Sequence, residues 1–95
     1  MKNIAEFKKT LEKVSPDGHL SVQLRALWYD AKGDWGRAHN QVDHLDDLAS
    51  ARIHAYLHRK EGDIWNANYW YAKAGEKLPE LSLEQEWEEL IKRFL

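Results

Sequence analysis

The chain contains no cysteine among its 95 residues. Disulfide staples and thiol nucleophiles are therefore excluded, and a reducing compartment is the natural location. The first charged residues are not followed by an uninterrupted apolar segment of about seven or more residues, as a secretory signal would require. Apolar runs also fall far below the roughly 18 residues of a membrane-spanning helix. We therefore expect a cytoplasmic protein that does not enter a membrane.

The sequence also lacks the local motifs of common enzymes. Its five glycines form neither a phosphate-binding loop nor a dinucleotide fingerprint, and no serine lies in a nucleophile elbow. The net charge is −2, without the excess of basic residues that general nucleic-acid binding needs. We therefore expect a binding protein rather than an enzyme, no nucleic-acid partner, and no cofactor apart from the metal ion considered below.

Apolar residues recur at helical spacing and predict an all-α fold with amphipathic helices at both ends. Ile4 and Phe7 begin the apolar stripe of an N-terminal helix at 2–14. Near the other end, Ser82 begins a capping-box pattern that opens a C-terminal helix at 82–95. No strand pattern competes with these helices.

The middle of the chain repeats itself. Gly-Asp pairs occur at 33–34 and 62–63, an offset of 29 residues. In each pair the glycine ends one helix and the aspartate is placed to cap the next. The pattern predicts two helix–turn–helix units, at 19–46 and 48–76.

The second unit carries small and aromatic residues at the positions of a helical-repeat motif: Ala55, Gly62, Ala67, Tyr71, Ala74 and Pro79. Residues 48–81 thus resemble a tetratricopeptide repeat, whose period is about 34 residues. The stretch 62–75 is also similar to Sel1-like repeats, and the chain resembles short bacterial proteins of unassigned activity. This resemblance implies two helical hairpins flanked by the terminal helices, and peptide binding on the concave face. Two repeats are fewer than the three usually needed, so the terminal helices or a second copy of the chain would cover the open ends.

A cationic stripe with one aromatic residue runs along the helix that begins near 48. Its members are Arg52, Tyr56, Arg59 and Lys60, which share one helical face. In the repeat register this face is concave and would bind an acidic peptide or protein segment. The alternative is that these residues pair internally with the acidic C-terminal helix.

A second candidate partner-binding surface is aromatic. Trp65, Tyr69 and Trp70 crowd one short helix, which cannot bury its whole circumference in a domain of this size. At least one ring is expected at the surface or at a subunit contact such as that of a homodimer. The alternative is that the terminal helices cover these rings.

Four histidines lie between residues 39 and 58. His39 and Asp43 are four residues apart on one helix, and His54 and His58 are four apart on the next. In a helical hairpin these pairs would meet and bring three imidazoles and one carboxylate together, a ligand set suited to zinc or a similar divalent ion. The alternative is a set of half-buried, hydrogen-bonded histidines with a structural role.

His44 and Asp47 would then act as outer-shell partners of that metal site.

From the sequence alone, the function is predicted to be that of a protein- or peptide-interaction module of tetratricopeptide-like type. The alternative function is that of a metal-binding helical protein, with hydrolysis as its candidate reaction, and with a His/Asp site between the two repeat units.

Overall fold

A computed structural model describes residues 3–95, which contain α-helices and no strand. The predicted all-α fold is therefore confirmed. The helices are α1 (Ile4–Lys9), α2 (Val22–Ala31), α3 (Trp35–Val42), α4 (Leu48–Glu61), α5 (Ile64–Lys73) and α6 (Leu83–Phe94). A short 3-10 turn, Thr10–Glu12, continues α1. The first residue of the predicted N-terminal helix, at position 2, lies outside the described residues.

Each helix begins at a side chain that caps it. In every case the capping oxygen accepts a hydrogen bond from the backbone N–H three residues later, which satisfies a donor that the helix cannot pair. These capping residues are Asn3, Ser21, Asp34, Asp47, Asp63 and Ser82. The helix starts are thus set by local chemistry that can be identified in the sequence.

The two Gly-Asp corners have the same geometry. Gly33 and Gly62 adopt φ values of 81° and 88°, which favour glycine because a Cβ would be strained there. In each corner the following aspartate N–H donates to a carbonyl five residues back, over 2.9 Å. The chain therefore reverses twice in the same way and forms the hairpins α2–α3 and α4–α5. The two helices of each hairpin pack against each other, and α4 packs on both helices of the first hairpin.

Helix α6 packs against α1, α2 and α4. Its Leu90 and Ile91 are buried in the main core with Leu27 and Leu57, and the indole N–H of Trp87 donates to the Leu27 carbonyl over 3.0 Å. The C-terminal helix therefore occupies the face of α2 and α4 that the repeat resemblance would assign to a peptide.

Helix α5 keeps an exposed apolar face. Trp65 is 77% exposed and Tyr69 is 49% exposed, while Ala67 and Tyr71 face inward and are buried. Over residues 3–95, no helix has the length and apolar character needed to cross a membrane.

Candidate metal centre

Three imidazoles converge where the two hairpins meet. Helix α3 supplies His39, and α4 supplies His54 and His58. One ring nitrogen from each lies within 4.8 Å of the other two, and the Nε2 atoms of His39 and His54 are 2.9 Å apart. Nitrogen ligands around a tetrahedral zinc ion are about 3.3 Å apart, given Zn–N bonds of about 2.0 Å. Small side-chain movements would therefore suffice to place all three nitrogens on one ion.

The helices explain this convergence. His54 and His58 are one turn apart on α4, so their rings stack with centroids 4.8 Å apart. Packing of α3 on α4 brings His39 over this pair, with ring centroids 4.6 and 5.2 Å away. The cluster therefore bridges the first hairpin and the second.

Two tryptophans form the walls of the cluster. Trp70 stacks on His54 at a centroid distance of 4.0 Å, and Trp35 stacks on His39 at 4.7 Å. The indole N–H of Trp35 donates to the Leu57 carbonyl over 2.7 Å, which fixes the ring beside the histidines. The sequence reasoning did not assign Trp35 to this site, although its position four residues before His39 on the same helix is a usable signal.

The environment keeps His39 and His54 neutral. Burial, together with the neighbouring His39 and His58, lowers the pKa of His54 to about 4. Burial also lowers the pKa of His39, again with a contribution from His58. Since a metal ion binds the neutral form of imidazole, these groups have ring lone pairs available at neutral pH.

Carboxylates lie next to two of the three rings. Glu61 Oε2 lies 2.6 Å from Nδ1 of His58, and Asp43 Oδ2 lies 3.7 Å from Nδ1 of His39. A carboxylate on the Nδ1 side holds the ring orientation and makes the opposite nitrogen a better ligand. The sequence reasoning missed Glu61, whose signal is its position three residues after His58 on α4.

Asp43 does not take the ligand position that was expected for it. Helix α3 ends at Val42, so Asp43 follows its last turn and lies between His39 and His44, with Oδ1 3.2 Å from Nδ1 of His44. Within residues 3–95, the converging set around His39 consists of the three imidazoles without this carboxylate. Asp47 is likewise not an outer-shell partner, because its side chain caps α4.

The predicted cationic stripe is paired inside the protein. Arg52 Nη2 and Arg59 Nη1 lie 2.8 and 2.7 Å from the two carboxylate oxygens of Glu86 on α6. Lys60 Nζ lies 2.8 Å from Asp30. Arg52 and Tyr56 are buried, contrary to the expectation of an open concave surface. The reason is that α6 covers this face and pairs with Arg52 and Arg59, as the internal-pairing alternative expected, whereas Lys60 pairs with Asp30 on α2.

The aromatic residues of α5 are split between two environments. Trp70 lies against His54 and belongs to the imidazole cluster. Trp65 and Tyr69 stack on each other at the surface, with ring centroids 6.5 Å apart. Terminal helices therefore do not cover these two rings.

Comparisons with protein-family models, with curated proteins and with solved structures gave no match to this chain. Functional inference therefore rests on the chemistry and geometry of the residues described above.

Proposed function

We propose that this protein binds a divalent transition-metal ion, with zinc as the best match, through His39, His54 and His58. The observation that carries the proposal is the convergence of three ring nitrogens from two helices within 4.8 Å. Imidazole ligands suit zinc, copper and nickel, whereas calcium and magnesium prefer oxygen ligands. An ion held here would link α3 to α4 and thus stabilise the contact between the hairpins.

Three protein ligands leave one position of a tetrahedral ion for water. Such an open position is typical of catalytic zinc sites, whereas structural sites use four protein ligands. Zinc-bound water can lose a proton near neutral pH and act as a nucleophile. Hydrolytic activity is therefore the chemistry that this ligand set would support, with Glu61 holding the His58 ring in place.

The test is metal binding by protein purified without a histidine tag and stripped with chelator. We expect one zinc ion per chain in calorimetric titration, and a rise in melting temperature that follows mass action. At a free metal concentration of a hundred times Kd the stabilisation would be about 2.7 kcal/mol, or roughly 10–20 °C for a domain of this size.

Single substitutions identify the ligands. His39→Ala and His58→Ala should each weaken zinc binding strongly, whereas His19→Ala, which removes an exposed histidine outside the cluster, should leave it unchanged. Copper(II) should also quench tryptophan fluorescence, since Trp35 and Trp70 stack on ligand rings. Less than about a tenth of an equivalent of bound metal, with no melting shift on metal addition, would refute the proposal.

Protein binding is a second candidate function, favoured by the exposed apolar face of α5. In a tetratricopeptide-like array this face of the last hairpin would be covered by the next repeat. Trp65 and Tyr69 are the large exposed rings on it, and exposed apolar patches of this kind mark interaction sites. The occupant that we propose is a second copy of the chain, whose α5 would supply the missing cover. We also propose that the protein is located in the cytoplasm, as the sequence predicts.

Sedimentation across a concentration range tests this candidate. The wild-type chain should dimerise, and the double variant W65A/Y69A should remain monomeric. Leu48→Ala, which removes an exposed apolar side chain elsewhere, should dimerise as the wild type does. A wild-type chain that stays monomeric up to its solubility limit would contradict dimerisation through α5.

A further inference from the structure

A cavity lies on the far side of α4, separate from the histidines. It has a volume of about 380 Å³ and opens between α1, α2, α4 and α6. This volume falls within the range of about 300–1,000 Å³ that is usual for small-molecule pockets. Leu11, Ala31, Leu83 and Trp87 contribute apolar walls, so the cavity suits a ligand with an apolar body.

The floor of the cavity carries a buried negative charge. Asp30 is only 2% exposed, and its Oδ2 accepts a 2.7 Å hydrogen bond from the Tyr56 hydroxyl. Burial, and then the Asp30 charge, raise the pKa of Tyr56, so the phenol remains a donor to this carboxylate. A buried carboxylate of this kind requires a cation beside it.

The position of Asp30 in its helix strengthens this requirement. Asp30 is the penultimate residue of α2, where the unpaired carbonyls give the helix end a partial negative charge. An anionic side chain at such an end is unfavourable by itself. The helix end and the carboxylate therefore both favour a cation at the floor of the cavity.

In the structure this cation is the ammonium group of Lys60. Its Nζ lies 2.8 Å from Asp30 Oδ1, but the Lys60 side chain is 39% exposed. Lys60 therefore reaches the site from the solvent side and can withdraw along its flexible stem. Among the other charged lining residues, Glu84 is exposed and Lys8 is paired with Glu88.

We propose that this cavity binds a small organic ammonium ion with an apolar body. The ammonium group replaces Lys60 Nζ on Asp30, and the apolar body lies against Leu83 and Trp87. The aromatic ring of Trp87 adds a favourable surface for a cation. An anionic ligand would meet the carboxylate and the helix end, whereas an inorganic cation would leave the apolar walls in contact with water.

The test uses 2-phenylethylammonium as the probe, with 2-phenylethanol and 3-phenylpropionate as neutral and anionic comparisons. Binding is followed by titration calorimetry and by the NMR signal of the Trp87 indole N–H. We expect the ammonium probe to bind at least about tenfold more tightly than either comparison, corresponding to about 1.4 kcal/mol from a charge-assisted contact.

Two variants assign the site. Lys60→Met removes the competing ammonium but keeps the apolar stem, and should tighten probe binding by about tenfold or more. Asp30→Asn should abolish the preference for the cation. Lys9→Met, a substitution of an exposed lysine on α1, should change neither the affinity for the ammonium probe nor the preference for it over the comparison compounds.

The proposal would be overturned if the wild type and K60M each bound 2-phenylethanol as tightly as 2-phenylethylammonium. It would also be overturned if 3-phenylpropionate bound more tightly than the ammonium probe. Because K60M retains Asp30, this comparison holds even if D30N fails to fold. All measurements are made with chelator present, and His54→Ala should bind the probe as the wild type does. The outcome is therefore independent of the proposed metal centre.

Discussion

The substitution Glu86→Gln offers a direct test of how α6 is held on the protein. Glu86 is 0% exposed and receives three contacts: from Arg52 Nη2 at 2.8 Å, from Arg59 Nη1 at 2.7 Å and from the Tyr71 hydroxyl at 2.5 Å. Glutamine has nearly the same shape but carries no charge. The variant therefore removes the electrostatic part of the contact and leaves the packing of α6 almost unchanged.

The size of the effect follows from burial. Arg52 is also buried, and its remaining carboxylate partner is the half-exposed Glu76. Removing one partner of a buried ion pair destabilises a protein by about 3–5 kcal/mol, because the remaining charge stays buried without its counter-charge. Glu76 compensates only part of this loss for Arg52. For a domain of this size we expect the melting temperature to fall by more than about 10 °C.

The assay is urea unfolding followed by far-ultraviolet circular dichroism, in chelator-treated protein at neutral pH. The matched control is Glu88→Gln on the same helix, which breaks the ion pair with the exposed Lys8 and should leave the urea midpoint close to that of the wild type. The double variant E86Q/Y71F should be less destabilised than the sum of its single variants, because both substitutions remove parts of one network.

An E86Q protein within about 1 kcal/mol of the wild type, with an unchanged urea slope, would refute this reasoning. The arginines would then be solvated rather than dependent on Glu86, and the cationic stripe would again be a candidate surface for an acidic partner. A large loss of stability would instead establish α6 as the internal partner of the stripe.

Three further outcomes follow, two from the backbone and one from a titrating group. Gly62→Ala should destabilise the chain by about 1–2 kcal/mol, because alanine is strained at a φ of 88°. Gly36→Ala should be neutral or stabilising in the same unfolding assay, because the new Cβ would come no closer than 3.9 Å to Asp34 Oδ1. Burial raises the pKa of Glu76, but hydrogen bonds from Arg93 and Arg52 outweigh it, so the pKa lies below its ordinary 4.5. The ionised Glu76 carboxylate therefore stabilises the fold fully above pH 4.5, and this stabilisation is lost at lower pH. The difference in free energy of unfolding between the wild type and Glu76→Gln should therefore narrow on acidification. A constant difference would contradict this assignment.

The helices and corners were predictable because their determinants are local. A capping side chain accepts a hydrogen bond from an N–H three residues away, and the N–H of Gly62 donates to carbonyls within the preceding turn. The two histidines of α4 share a face for the same reason, since a four-residue spacing in a helix brings side chains together. The pairing of His39 with them needed only the short connection between α3 and α4.

Other parts of the site depended on where a helix ends. Asp43 was expected to join the three imidazoles as a ligand, but α3 ends at Val42 and the carboxylate follows the last turn. Glu61 takes an outer position at His58 instead. A shift of one or two residues in a helix end is within the variation that sequence patterns leave open, and it decides which carboxylate reaches a ring.

By itself, the sequence determined the helices, the two glycine corners and the histidine spacing, because each depends on neighbours within about one helical turn. Only the tertiary structure decided that α6 would lie on α2 and α4, with Glu86 rather than another of its glutamates reaching Arg52 and Arg59. That choice depends on the rotation of α6 about its own axis, which is set by burial of Trp87, Leu90 and Ile91 in a core drawn from distant parts of the chain. The same packing turned an expected binding face into an interior contact and left the outer face of α5 exposed.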